Sequence, residues 1–170
     1  YVPQKAVMFS GSVLSNIIFG KNRHGKPSKD RVKAAIRVSQ AEEFVSKLDD
    51  KEKAHIAQGG TNVSGGQKQR LSIARTIARD PEIYIFDDSF SALDYKTDST
   101  LRSELKKYTK DATVMIVAQR IGTILNADKI VVLDNGKCVG IGTHKELMKK
   151  CKVYKEIALS QVSKEELENV

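Results

Sequence analysis

A run of β-forming residues, Ile83, Tyr84, Ile85 and Phe86, stops abruptly at two adjacent carboxylates, Asp87 and Asp88. A helical pattern follows from about residue 96 to 108, with Leu101, Leu105 and Tyr108 on one face, and then a second β-forming run over 113–118. Strand, helix and strand in that order imply a crossover, and a crossover between strands of one sheet gives a parallel α/β arrangement. The first strand is expected to be buried and to deliver Asp87 and Asp88 at its C-terminal end.

The chain has 170 residues and a hydrophobic content of 40%, enough for one packed domain and too much for wholesale disorder. Lys and Arg number 29 against 21 Asp and Glu, a formal +8. The lysines are scattered as on solvated helix faces, so the charge selects no partner. Cys138 and Cys151 form no C-x-x-C pair, which fits a reducing compartment and indicates neither a disulfide framework nor a zinc site. His24, His55 and His144 fall into no ligand spacing. No apolar run approaches the roughly 20 residues of a spanning helix. Tyr1, Val2, Pro3 and Gln4 lack an initiator Met and read as the end of a strand entering a loop, so the chain is expected to be a piece of something longer.

Upstream of the strand the pattern is helical. An apolar stretch at 12–19 leads into a Gly/Pro/Lys loop at 20–27. Ser28 can then cap a helix with a buried stripe of Val32, Ala35, Ile36 and Ser39, and 41–48 continues as a second short helix. Gly59, Gly60, Thr61 and Asn62 break the pattern. Ser64 and Gln67 form a capping box for a helix whose apolar face is Leu71, Ala74, Ile77 and Ala78, ending near Asp80 and Pro81. Downstream, Asn135-Gly136 predicts a hairpin between 129–133 and 137–141, with Cys138 a small apolar filler in it. Thr143 and Glu146 open a terminal helical region that runs through Tyr154 to a charged, frayed end at 165–170. Tyr84 and Tyr108 read as packing residues and His144 as a first-turn helix residue.

Two glycines directly after Ser64 leave the N–H groups and positive dipole end of a helix unobstructed, a ready anion site. Read alone, Ser-Gly-Gly caps a helix and nothing more. A hydrophobic strand ending in Asp87-Asp88 about 20 residues on is the form a Mg²⁺-binding carboxylate takes in nucleotide-triphosphate hydrolases. The ordered set of Asn62 to Arg70, Asp87-Asp88 and Ser91-Ala92-Leu93-Asp94 resembles the signature, Walker B and D-loop segments of ABC transporter ATPase domains. Val2-Pro3-Gln4 is similar to their Q-loop. Phe9 to Val13 with Asn16 and Ile17, and Gln58-Gly59-Gly60-Thr61, resemble the exporter versions of the neighbouring segments.

The resemblance implies an α/β P-loop NTPase with a RecA-like parallel sheet core and an inserted α-helical subdomain, truncated before the Q-loop and lacking Walker A. It places the Q-loop at 1–5, the helical subdomain at 6–79, the α/β core with Walker B, D-loop and switch at 80–150, and a C-terminal helix at 151–170. ATP and Mg²⁺ are the implied ligands. Gln4 would touch Mg²⁺ or the attacking water and sense the transmembrane domains, and Asp87 would hold Mg²⁺ through water. Ser64, Gly65, Gly66 and Gln67 would close in trans over the terminal phosphate of ATP bound by a second cassette, and Asp94 would lie at that dimer seam.

Two departures stand out. Asp88 occupies the position where a competent cassette usually has Glu, one methylene longer, and a base set back from the water loses the placement it needs. Gln119, in Val117-Ala118-Gln119-Arg120, replaces the usual His; an amide can bond the phosphate but cannot become cationic. With an intact signature, the pair resembles the hydrolysis-impaired half of a heterodimeric exporter at the cytoplasmic face of the cell membrane. The alternatives are a tolerated variation in a homodimer, an ABC-type ATPase of DNA repair or chromosome maintenance, and a non-catalytic dimerisation module, since the 170 residues carry no Gly-rich phosphate loop and on their own are expected to be inactive. No heptad charge pattern supports the second, and no nucleic-acid partner is expected.

Overall fold

The computed structural model describes residues 1–20 and 25–161. His24, half of the loop expected at 20–27 and the charged end at 165–170 lie outside the described residues. The chain divides into two compact units, Tyr1–Val117 and Ala118–Val170.

In chain order the first unit contains β1 (Gly11–Ser12), α1 (Val13–Ile17), α2 (Lys29–Val38), α3 (Glu42–Ser46), β2 (His55–Ile56), α4 (Gly65–Ala78), β3 (Ile83–Asp87), α5 (Tyr95–Tyr108) and β4 (Thr113–Val117). Side chains start the helices. Ser12 Oγ accepts from the Ser15 N–H, Ser28 Oγ from Arg31 and Asp94 Oδ1 from Thr97, each meeting a donor that the helix cannot satisfy internally. The predicted stripe of Val32, Ala35, Ile36 and Ser39 is buried, as are Leu71, Ala74, Ile77 and Ala78 of α4. These faces join one core with Met8, Ile17, Phe44, Ile56, Tyr84, Phe86 and Leu101. At the break before α4, Gly60 has φ +67, and a Cβ there would stand 2.9 Å from Lys68 Cε and 3.1 Å from Met8 Cγ, so only glycine fits the turn.

β3 and β4 pair in parallel, from Ile83 opposite Thr113 to Asp87 opposite Val117. Val2 lies along the other edge of β3, donating its N–H to the Ile85 carbonyl (2.8 Å) and accepting from the Asp87 N–H (2.9 Å). The chain start is thus strand-like, as its sequence suggested. The strand is not buried on both faces, however: Tyr84 and Phe86 enter the core, whereas Ile83 and, on β4, Met115 and Val117 are exposed. A parallel strand is apolar on both sides when both sides are covered, and the described residues of this chain cover one of them.

The second unit holds α6 (Ile121–Ile124), β5 (Ile130–Asp134), β6 (Lys137–Gly142), α7 (His144–Lys150) and α8 (Lys152–Gln161). β5 and β6 form the predicted hairpin, with positive φ at both Asn135 and Gly136. Its core is Ile121, Ile130, Val132, Leu147, Cys151, Tyr154 and Ala158. The terminal helical region is two helices, because the backbone becomes extended at Cys151 (φ −113, ψ 106). The cysteines also differ from expectation, since Cys138 is exposed opposite exposed Leu133 and it is Cys151 that fills the core. Cys151 fits because Gly140 has no side chain; a Cβ there would sit 3.0 Å from the sulfur.

His144 is buried on α7, its Nδ1 2.9 Å from the Tyr154 hydroxyl. Burial, with Lys145 close by, holds its pKa below the ordinary imidazole value. The folded pKa lies below the unfolded one, so the neutral ring's contribution is complete above about pH 6.5 and is lost as pH falls through the folded pKa. The urea midpoint is therefore expected to drop between about pH 7 and pH 5, and His144→Asn, which cannot titrate, is expected to remove that part of the drop.

Candidate functional site

Ser64 precedes α4 with extended backbone, and its capping box is complete: Ser64 Oγ accepts from the Gln67 N–H (3.2 Å), and Gln67 Oε1 accepts from the Ser64 N–H (2.9 Å). The box fixes the angle at which the first turn presents its remaining N–H groups. Ser64 and Gly65 are exposed, and a Cβ at Gly65 would meet nothing within 4 Å. A Cβ at Gly66 would lie 3.4 Å from the Ala92 carbonyl oxygen, so the segment after β3 packs directly beside this turn. In that segment Leu93 is buried and Asp94 serves α5 as its cap, the bond that lowers the Asp94 pKa most.

A second set of predicted residues meets at the C-terminal end of β3. Gln4 donates Nε2–H to Asp88 Oδ2 (3.1 Å), and the Tyr1 hydroxyl donates to Asp87 Oδ2 (2.7 Å), which raises the Tyr1 pKa. Asp88 has φ +43, a left-handed conformation that Asp tolerates better than most side chains. It is held there from both sides. Its N–H donates to the Val117 carbonyl (2.9 Å), and its carbonyl accepts from Ser91 Oγ (2.7 Å). Two carboxylates and an amide oxygen are hard donors of the kind Mg²⁺ takes when phosphate oxygens and water complete its octahedron. Among the described residues no cluster of three His, Cys, Asp or Glu side chains could hold a metal by itself. The donor set therefore suits a cation that arrives with a phosphate ligand.

Gln119 belongs to the second unit. Gln161 of α8 donates Nε2–H to the Gln119 carbonyl (2.8 Å) and accepts from the Ile121 N–H (2.9 Å), which fixes the backbone on either side of Arg120.

Sequence reasoning missed two side chains of α4 that tie these parts together. Gln69 is buried and donates Nε2–H to the Pro3 carbonyl (3.1 Å), one residue before Gln4. Arg75 donates from Nε to the Asn16 carbonyl (2.7 Å), and from its two terminal nitrogens to the Val7 carbonyl (3.1 Å) and Asn16 Oδ1 (3.1 Å). Its guanidinium also lies 5.4 Å from the Phe9 ring centre and 5.9 Å from that of Phe19. Burial pushes its pKa down to about 10, so it remains cationic at neutral pH. A signal was present: Gln69, Ser72 and Thr76 recur at i, i+3 and i+7 with no charge among them and all are buried, which marks a second inward face on α4.

Residues 1–91 match the protein-family model described as ABC transporter. An uncharacterized ABC transporter ATP-binding protein of Mycobacterium bovis is 45% identical over 160 residues, covering 94% of this chain and 27% of the relative. A Rickettsia conorii protein provisionally named an export ATP-binding/permease protein is 40% identical over 163 residues, covering 96% of this chain and 28% of its own. The solved structure of a bacterial Atm1-family ABC exporter with ATP bound superposes with a TM-score of 0.87 at 32% identity, over 94% of this chain and 28% of that one. The chain belongs to the ABC transporter family and has the fold of its ATP-binding domain, a P-loop NTPase fold. It spans just over a quarter of the length of these relatives.

Proposed function

We propose that this chain is part of a cassette that binds and hydrolyses ATP to power export across a membrane, at the cytoplasmic face of the cell membrane. The observation that carries the reading is the exposed first turn of α4, where a completed capping box presents N–H groups past two glycines. That turn supplies donors and partial positive charge to a triphosphate, and it is oriented before the charge arrives. The triphosphate belongs to a second cassette, so Ser64, Gly65, Gly66 and Gln67 act in trans and Asp94 lies near the seam. Asp87, through water, and Gln4 would hold Mg²⁺, which would offset charge on the phosphates. Residues 6–79 form the helical subdomain and 80–150 the α/β core, followed by a C-terminal helix at 151–170. Gln4 in the 1–5 loop and the turn at 58–61 face the exporter's transmembrane domains, whose movement follows closure and reopening of the cassette pair.

The cassette's own site is impaired. Asp88 is tethered by Gln4 and held at positive φ, and its side chain is one methylene short of the family's usual base. Gln119 cannot supply a cation. In the full-length protein with its partner cassette, Asp88→Glu combined with Gln119→His is expected to raise basal ATP turnover by about tenfold or more, because placement of the water-orienting group governs the step. Turnover that already equals that of a homodimeric exporter, and that neither substitution raises, would contradict an impaired site.

A further inference from the structure

α4 does more than present its first turn. Gln69 and Arg75 reach from it to the chain on either side of Gln4, Gln69 to the Pro3 carbonyl and Arg75 to the Val7 carbonyl. On the Gln69 side the segment is otherwise fixed by Val2, which pairs with Ile85 and Asp87 and accepts from Ser89 Oγ (2.8 Å). Pro3 has no N–H, so its carbonyl is the one backbone group through which a neighbour can hold it by hydrogen bonding. Gln69 is the side chain that does so, and it is 2% exposed, so water does not compete for the contact. Gln4 then reaches Asp88 from the next residue.

We propose that Gln69 is a positioning residue: its hydrogen bond to Pro3 makes the first turn of α4 and the Gln4–Asp88 pair move as one body, so that phosphate engagement at Ser64–Gln67 is felt at Gln4. The proposal rests on the reading of Gln4 and α4 as parts of a nucleotide-hydrolysing pair. Gln69 itself touches no nucleotide. Its loss therefore affects the turnover step and leaves ground-state binding of ATP nearly unchanged.

The test uses the full-length protein with its partner cassette and Gln69→Met, which keeps the side chain's length without its donor, alongside Gln69→Leu, which has no donor in any protonation state. Amide hydrogen exchange at Val2 and Asp87, whose N–H groups donate to the Ile85 and Val2 carbonyls beside Pro3, is expected to rise about tenfold in both variants while the amides of Leu71 to Ala78 keep their protection. The kcat for ATP, set at the partner's site that Ser64–Gln67 complete, is expected to fall about tenfold with KM within about twofold, because the first turn of α4 is no longer held to the segment of Gln4. Adding Gln4→Ala to Gln69→Met is expected to lower kcat no further than the more impaired single variant, since both changes break one chain of contacts. Unchanged exchange at Val2 and Asp87 overturns the clamp. Raised exchange with unchanged kcat, or losses that multiply in the double variant, overturns its role in positioning. A wild-type protein without ATP turnover overturns the ATPase reading, and the positioning role with it, while the exchange measurement still reads the clamp on its own.

Discussion

Gly65→Asp is expected to cut ATP turnover of the assembled transporter by about 100-fold or more while leaving the cassette folded. The two effects separate because of where Gly65 lies. A side chain there meets nothing within 4 Å, and the backbone is already helical, so no strain or overlap opposes the substitution. An acidic residue in a helix's first turn is itself favourable by about 0.3–1 kcal/mol, so the thermal midpoint should hold or rise slightly. For a triphosphate approaching the same turn, the new carboxylate replaces attraction with repulsion in a closed, poorly solvated interface. Loss of one preorganised oxyanion donor already costs roughly 100- to 1,000-fold elsewhere. Phosphate release and a melting curve on the same sample measure both quantities. An Asp at this position that leaves turnover intact is incompatible with an anion site at the start of α4.

The largest stability effect is expected at Arg75. Arg75→Met removes three donors from the Asn16 carbonyl, the Val7 carbonyl and Asn16 Oδ1, and lifts the guanidinium from the Phe9 and Phe19 rings. Asn16 Oδ1 still accepts from the Phe9 N–H, so the Asn16 carbonyl bears most of the loss. The Asn16 carbonyl loses its partner in a buried residue while water can replace the exposed bond to Val7, which puts the cost at about 2 kcal/mol, read as a lower urea midpoint with an unchanged slope. Arg75→Lys is expected to recover only part of it, because one ammonium cannot reproduce a planar fork aimed at three acceptors. A shift under about 0.5 kcal/mol, the level of ordinary surface substitutions, would show that this network does not hold the 7–19 segment.

Much of this was legible in the sequence because it depends on local rules. The capping boxes at Ser64 and Thr143, the Asn135-Gly136 turn and the stripe of Val32, Ala35, Ile36 and Ser39 each involve residues a few positions apart. The strand bearing Asp87-Asp88 and its parallel partner followed from element order. What escaped was set by distant parts of the chain. Gln69 reaches 66 residues back to Pro3 and Arg75 reaches 68 back to Val7; the uncharged Gln69, Ser72 and Thr76 mark an inward face but do not name what it meets. The break at Cys151 has no Gly or Pro to mark it, and the exposure of Cys138 follows from which hairpin face packs on α7 and α8. Positive φ at Asp88 was equally invisible; it arises where β3 ends and the chain is pinned to both Val117 and Ser91.

A photoreactive ATP analogue carrying its reactive group on the terminal phosphate reads the trans arrangement directly. Bound with Mg²⁺ to the full-length protein and its partner cassette, then illuminated and mapped by mass spectrometry, it should label this chain within Ser64 to Gln67, and Gly65→Asp should abolish that adduct. Nucleotide that is bound and labels other segments, with residues 64–67 untouched, would mean that the start of α4 faces no phosphate.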